Sequence, residues 1–203
     1  MNTEPSFDRT GSLSGKTILA ISGSTRRDSW NTRLLGIMAA ELGQRGLAIS
    51  EHSFREQPLP LYDPDAEAET GVPEGVIRLR RLISKSDGLL VACPEYNGSV
   101  TPVLKNALDW ASRPVGGEAG LAPFRMKPVL IVGTSIGPFG AVRAIGHLRA
   151  ILGKMGALVM PEDLAVPNAA TAFTDDGLAD GATAAAARRA AAVFIDQLAE
   201  ARV

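Results

Sequence analysis

Between Gly23 and Thr32 the chain reads GSTRRDSWNT, with one glycine, hydroxyls at Ser24, Thr25, Ser29 and Thr32, an amide at Asn31 and guanidinium groups at Arg26 and Arg27. The stretch follows the apolar run KTILAIS and leads into a helical pattern. Ser29 therefore reads as the N-cap of a helix beginning near Trp30, whose early N–H groups are directed at the turn. Such a helix start attracts phosphate, because free amide donors and the positive end of the helix dipole converge there. Ser24, Thr25, Ser29, Asn31 and Thr32 add neutral donors, and Arg26 or Arg27 supplies charge. The plainer alternative is an ordinary strand-to-helix turn with a serine cap and solvated arginines. The turn contains neither G-x-x-x-x-G-K-[ST] nor G-x-G-x-x-G. A hydroxyl-rich loop with a single glycine suits one terminal phosphate better than a pyrophosphate, which points to a mononucleotide.

Two further segments carry chemistry. In CPEYNGSVTPVLKNALDW, Cys93 to Trp110, Pro94 stops sheet pairing and Asn97-Gly98 is a turn dipeptide, while Ser99 is a candidate cap for the helix that follows. Tyr96 then stands at the mouth of a crevice, offering a flat face to a planar ring, and the backbone N–H groups of Tyr96 to Ser99 are candidate donors to ring carbonyls. Glu95 reads as a carboxylate that bonds nearby amides to shape the loop, with a general base as the alternative. In GTSIGPFGAVRAIGHLRAIL, Gly133, Gly137 and Gly140 keep the backbone close to something. Ser135 and Phe139 are candidate pocket walls there, and Arg143 is positioned to pair with a cofactor or an acidic side chain. His52 and His147 lack metal-ligand spacing and read as structural or surface residues; no metal site is expected. Cys93 reads as a buried strand-end thiol.

The elements that must position these loops alternate short apolar runs with longer helical ones, the signature of a parallel sheet covered on both faces. Strands are expected at about Thr17–Ser22, 47–53, 87–93, 127–134 and 156–161. Helices are expected over 30–45, 73–85, 100–111, 140–155 and 182–201. On the helix over 140–155 the inward residues are expected to be Val142, Ile145, Leu148, Leu152 and Met155, and the terminal helix needs Phe194, Ile195 and Leu198 to dock. Residues 54–72, FREQPLPLYDPDAEAETGV, read as a long Pro-rich acidic loop suited to a lid or to subunit contacts. Five strands give a three-layer α/β domain of flavodoxin-like order 2-1-3-4-5, with ligands bound beyond the carboxyl ends of strands 1 and 3, where the winding reverses.

With 203 residues, 45% of them hydrophobic, and a net charge of −1, the chain suits one globular domain. Residues 1–15 read as a flexible leader and 16–203 as the domain. There is no basic excess to mark nucleic-acid binding and no apolar run long enough to span a membrane. The leader lacks the features of a signal peptide, and a single cysteine allows no internal disulfide, which fits the cytoplasm.

The segments GSTRRDSWNTRLL and PEYNGSVTPVLKNALDWASR, in this order, resemble those of the NADPH-dependent FMN reductase family, which includes flavin, quinone, chromate and azo reductases. The likeness runs from about Lys16 to Pro161. It implies that Ser24, Arg26, Ser29, Asn31 and Thr32 hold the FMN phosphate and that Pro94, Glu95, Tyr96, Asn97 and Ser99 border the isoalloxazine, with Ser135 and Gly137 flanking the ring. It also implies hydride transfer from NADPH or NADH through FMN to a quinone-like small-molecule acceptor, with no catalytic residue beyond those that hold the flavin, in a homodimer or homotetramer. Two alternatives are a flavin reductase that releases reduced FMN to a partner and a non-turnover FMN carrier or sensor. The family often has Gln where this chain has Ile145, so any polar role at that position is lost here.

Overall fold

The computed structural model describes residue 13, residues 15–175 and residues 177–200, so most of the expected leader lies outside the described residues. In chain order the elements are β1 (Thr17–Ser22), α1 (Trp30–Gln44), β2 (Ala48–Ser53), α2 (Pro64–Thr70), α3 (Glu74–Lys85), β3 (Gly88–Ala92) and α4 (Pro102–Ala111). A 3-10 turn at Ala122–Phe124 follows, then β4 (Pro128–Thr134), α5 (Val142–Lys154), β5 (Leu158–Val159), β6 (Leu164–Val166), β7 (Phe173–Thr174), β8 (Gly177–Leu178) and α6 (Gly181–Glu200).

The main sheet is parallel, in the order β2-β1-β3-β4-β5, with β6 also paired to β4. β5 and β6 are two pieces of the fifth strand: Val129 pairs with Val159, and Val132 with Leu164 further along β4. This is the flavodoxin-like arrangement expected of the sequence, except that the fifth strand is split around Pro161, which has no N–H to offer a ladder. β3 and β4 are buried along their whole length, which is why they read as continuous apolar runs.

Side-chain alternation divides the core in two. Ile18, Ala20, Leu90 and Leu130 pack under α1 and α6, while Leu19, Ile21, Val91 and Ile131 pack under α3, α4 and α5. Phe194 and Leu198 of α6 dock fully buried, with Ile195 partly so. Val142, expected to face inward, is instead exposed at the first position of α5.

The 54–72 segment is not a plain loop. Asp63 caps α2, accepting from the N–H groups of Asp65 and Ala66, and Pro64 opens the helix. The segment is strapped to α4: the Pro60 carbonyl accepts from Asn106 Nδ2 and Trp110 Nε1, both at 2.8 Å, and the Tyr62 N–H donates to Asn106 Oδ1 at 2.7 Å. Glu67 pairs with Arg113 at 2.9 Å. Leu61 stands between these anchors, 82% exposed.

Candidate functional site

The loops after β1, β3 and β4 meet at the carboxyl end of the sheet because parallel strands deliver them to the same edge. Specific bonds then lock them together. The Gly23 N–H donates to the Ala92 carbonyl at 2.8 Å, and Thr101 Oγ1 donates to the Gly23 carbonyl at 2.6 Å. A Cβ at Gly23 would lie 3.0–3.1 Å from Pro94 Cδ, the Ala92 carbonyl and Leu104 Cδ2. Gly23 is thus required for close approach of the first loop to the second rather than for a positive φ. Asn31 makes the other link, donating Nδ2 to the Thr134 carbonyl at 2.9 Å and accepting the Thr134 N–H on Oδ1 at 3.0 Å.

The first turn has the predicted donor character. Ser29 has extended backbone and accepts the Thr32 N–H, capping α1 as expected. Ser24 Oγ accepts the Arg26 N–H at 3.2 Å, and the Thr32 hydroxyl bonds to Ser22 Oγ at 2.8 Å. The backbone N–H groups of Thr25, Arg27, Asp28, Ser29, Trp30 and Asn31 have no acceptor among the described residues. The side chain of Asn31 has a task the sequence did not reveal. It is buried, its amide gives one N–H to the Thr134 carbonyl and accepts the Thr134 N–H, and its backbone N–H has no acceptor among the described residues.

In the second loop Tyr96 and Ser99 exchange both backbone hydrogen bonds around Asn97 and Gly98, whose φ values are 51° and 76°. This is a two-residue turn of the type that Asn-Gly favours. It uses the N–H groups of Tyr96 and Ser99, so only those of Asn97 and Gly98 are left as donors from this stretch. Tyr96 is 51% exposed on this turn. Pro94 is buried against Gly23 and serves the junction between the loops. Ser99 does not cap the following helix; Thr101 does, immediately before Pro102.

Two side chains pin this turn to α5. Glu95 accepts the N–H groups of Arg143 and Ala144 at 3.1 and 3.3 Å and pairs with the Arg143 guanidinium at 3.0 Å. It thereby caps a helix that has no side-chain cap of its own. Ser99 Oγ bonds to His147 Nδ1 at 2.9 Å. In the third loop Ser135 Oγ donates to the Gly137 carbonyl, and Asn168 and Ala169 donate their N–H groups to Gly137 and Ser135. Phe139 is exposed beneath the Arg143 guanidinium, 4.7 Å from its carbon to the ring centroid. Burial, assisted by the Glu95 charge, pushes the Cys93 thiol up to about 12, so it remains protonated.

The sequence reading missed Thr101, Arg55 and the partner of Ser99. Thr101 was legible, since a threonine directly before a helix-opening proline is a start signal. Arg55, which donates to the Thr25 carbonyl at 2.7 Å, and His147 gave no local signal because each acts on a distant loop.

The profile described as NADPH-dependent FMN reductase matches residues 17–171. The chain belongs to the NADPH-dependent FMN reductase family. Within this family it is 40% identical over 146 residues to a 2-hydroxy-1,4-benzoquinone reductase of a Burkholderia species, covering 70% of this chain and 73% of that protein. It is 44% identical over 135 residues to an NAD(P)H-dependent FMN reductase of Pseudomonas aeruginosa, covering 66% and 68%. Among solved structures, the flavoenzyme NAD(P)H:(acceptor) oxidoreductase FerB of Paracoccus denitrificans superposes with a TM-score of 0.75 at 33% identity, covering 90% of this chain and 97% of that one. The family match takes in all three loops of the site and stops short of β7, β8 and α6.

Proposed function

We propose that this chain is an NAD(P)H-dependent FMN and quinone reductase, holding the FMN phosphate in the 24–32 turn and the flavin ring beside the Tyr96 turn. The observation that carries this reading is the set of unused N–H donors of Thr25 and of Arg27 to Asn31, at a helix start tied through Gly23 to an exposed aromatic turn. Those donors, with the hydroxyls of Ser24 and Ser29 and the Arg26 guanidinium, fit a phosphate dianion. Bound FMN supplies hydride and electron transfer.

The chain's own residues then have three tasks. The α1 start and its hydroxyls anchor the phosphate. Tyr96 gives the ring an apolar wall, while Asn97 and Gly98 offer N–H groups to its polar edge. Glu95, whose charge is spent on Arg143 and the α5 start, keeps the turn in place. We assign a quinone as acceptor, the class reduced by relatives described as quinone reductases in Burkholderia and Escherichia coli.

The loops also expose Tyr96, Ile136, Phe139 and Val142, with Leu61 exposed on the strapped 54–72 segment. Exposed apolar side chains of this kind support closure of the site by a second copy of the chain, in a dimer or tetramer. No helix among the described residues is long and apolar enough to cross a membrane, and a cytoplasmic location goes with the reading.

The test is fluorescence titration with FMN and FAD, followed by NAD(P)H oxidation with and without a benzoquinone. Tighter binding of FMN and acceptor-dependent turnover are expected. Equal affinity for FAD would remove the single-phosphate cradle, and bound FMN without nucleotide oxidation would make the chain a carrier. Light scattering at assay concentration tests the oligomer, which a monomer rules out.

A further inference from the structure

The turn around Asn97 and Gly98 is closed on itself, and closure alone does not aim it. Tyr96 and Ser99 spend their backbone hydrogen bonds on each other, and the Tyr96 ring is half exposed, so neither fixes the direction in which the Asn97 and Gly98 N–H groups point. The feet of the loop are held at Gly23, by Pro94 before the turn and Thr101 after it. The contacts that reach the tip come from α5. Glu95 bonds the Arg143 and Ala144 N–H groups and the Arg143 guanidinium, a Cβ at Gly98 would lie 3.6 Å from Arg143 Cδ, and Ser99 Oγ meets His147 Nδ1 at 2.9 Å. Arg143 and His147 are four residues apart and so share one face of the helix. The Ser99 hydroxyl is free for His147 because Thr101, not Ser99, caps α4.

We propose that His147 is a positioning residue for the flavin ring, acting through Ser99: it holds the Asn97 and Gly98 N–H groups in line with the polar edge of the ring and so raises the reduction potential of bound FMN. The proposal rests on the reading of this turn as the ring site given above. Reduction puts negative charge on that edge, and a hydrogen bond to a charged acceptor is about twice as strong as one to a neutral acceptor. Misaligned donors therefore cost the reduced ring more than the oxidised one. The phosphate turn belongs to a different loop, so oxidised FMN keeps its main anchor when the turn loosens. His147 itself is exposed, and the link can be cut without opening the core.

The experiment compares the full chain with His147→Ala, His147→Asn, Ser99→Ala and the double variant His147→Ala with Ser99→Ala. Dye equilibration of the FMN-loaded protein gives the two-electron potential, fluorescence titration gives the affinity for oxidised FMN, and hydrogen exchange without flavin follows the Tyr96 and Ser99 amides. His147→Ala is expected to weaken binding of reduced relative to oxidised FMN roughly ten-fold, which lowers the potential by about 30 mV, with the oxidised affinity near that of the unaltered chain. Ser99→Ala should give the same shift, and the double variant no more than either alone. His147→Asn places an amide where Nδ1 stood and carries no charge, so it should recover most of the shift; if it behaves as His147→Ala does, the effect is one of charge and the positioning role is overturned. An unchanged potential in His147→Ala, or a shift in Ser99→Ala that His147→Ala does not share, overturns it too. Faster exchange at Tyr96 and Ser99 is expected in the flavin-free alanine variants. Unchanged exchange removes the clamp itself, whereas faster exchange in a chain that binds no FMN keeps the clamp and sinks the flavin reading instead.

Discussion

Ser24 and Asn31 stand seven positions apart in one turn, yet substitution is expected to separate them. Ser24 keeps its hydroxyl proton free for a ligand, since its oxygen only accepts from Arg26. Ser24→Ala should therefore weaken FMN binding by about 1.5–3 kcal/mol, the range for a hydrogen bond to a charged group, and leave chemical denaturation unchanged. Asn31→Ala should behave in the opposite way, because it strands the buried N–H and carbonyl of Thr134. A loss of about 1–3 kcal/mol in denaturant unfolding is expected. Tyr96→Ala removes aromatic contact worth about 0.5–1.5 kcal/mol beyond simple burial, so FMN affinity and the visible flavin spectrum should both shift. Tyr96→Phe should retain both, and an unchanged spectrum in Tyr96→Ala places the ring elsewhere. Local chemistry is what was readable at this scale: the Ser29 cap, the Asn97-Gly98 turn and a Glu95 that bonds amides all follow from neighbours in sequence. The Asn31 bond to Thr134 was not legible because its partner lies on β4, and no nearby residue reports a bond across that separation.

Among the elements, β1, β3 and β4 were legible because strands buried on both faces leave uninterrupted apolar runs. α2 was not, for a physical reason: among the described residues it buries no side chain, so it has no apolar stripe. It is held by its Asp63 cap and by the pairing of Glu67 with Arg113. Its start signal, an Asp before a Pro with acids in the first turn, was present but was masked by the surrounding prolines. The meeting of the β1 and β3 loops depends on Gly23 more than on any side chain. Gly23→Ala sets a methyl against Pro94, Leu104 and a backbone carbonyl, none of them the end of a long flexible chain. Separation of the two loops is the expected result, measurable as weaker FMN binding together with a lower melting temperature. Normal affinity in this variant would show that the junction can relax.

For the molecule as a whole, acid sensitivity is expected to begin at His52. The ring is buried edge-on to Phe54, both its nitrogens lack partners, and burial with the nearby Arg78 charge lowers its pKa below the usual 6.5. The unfolded chain therefore binds a proton at and below about pH 6.5 that the native chain refuses, so stability falls as the pH drops through that range. His52→Leu should flatten this part of the stability profile, and an unaltered slope would put the sensitivity elsewhere. α6 has a different kind of consequence. Its Phe194 ring is seated so closely on the sheet that a Cβ at Gly88 would lie 2.8 Å away, and Ala187, Ala190 and Leu198 complete the cover. Every loop of the site precedes this helix in the chain, yet α6 is the last described element to leave the ribosome. Until it arrives, the face bearing Ile18, Leu90 and Leu130 is covered by α1 but not by α6. A nascent chain thus carries all three loops of the proposed site on an unfinished sheet, exposed to chaperones and to other nascent chains until α6 docks.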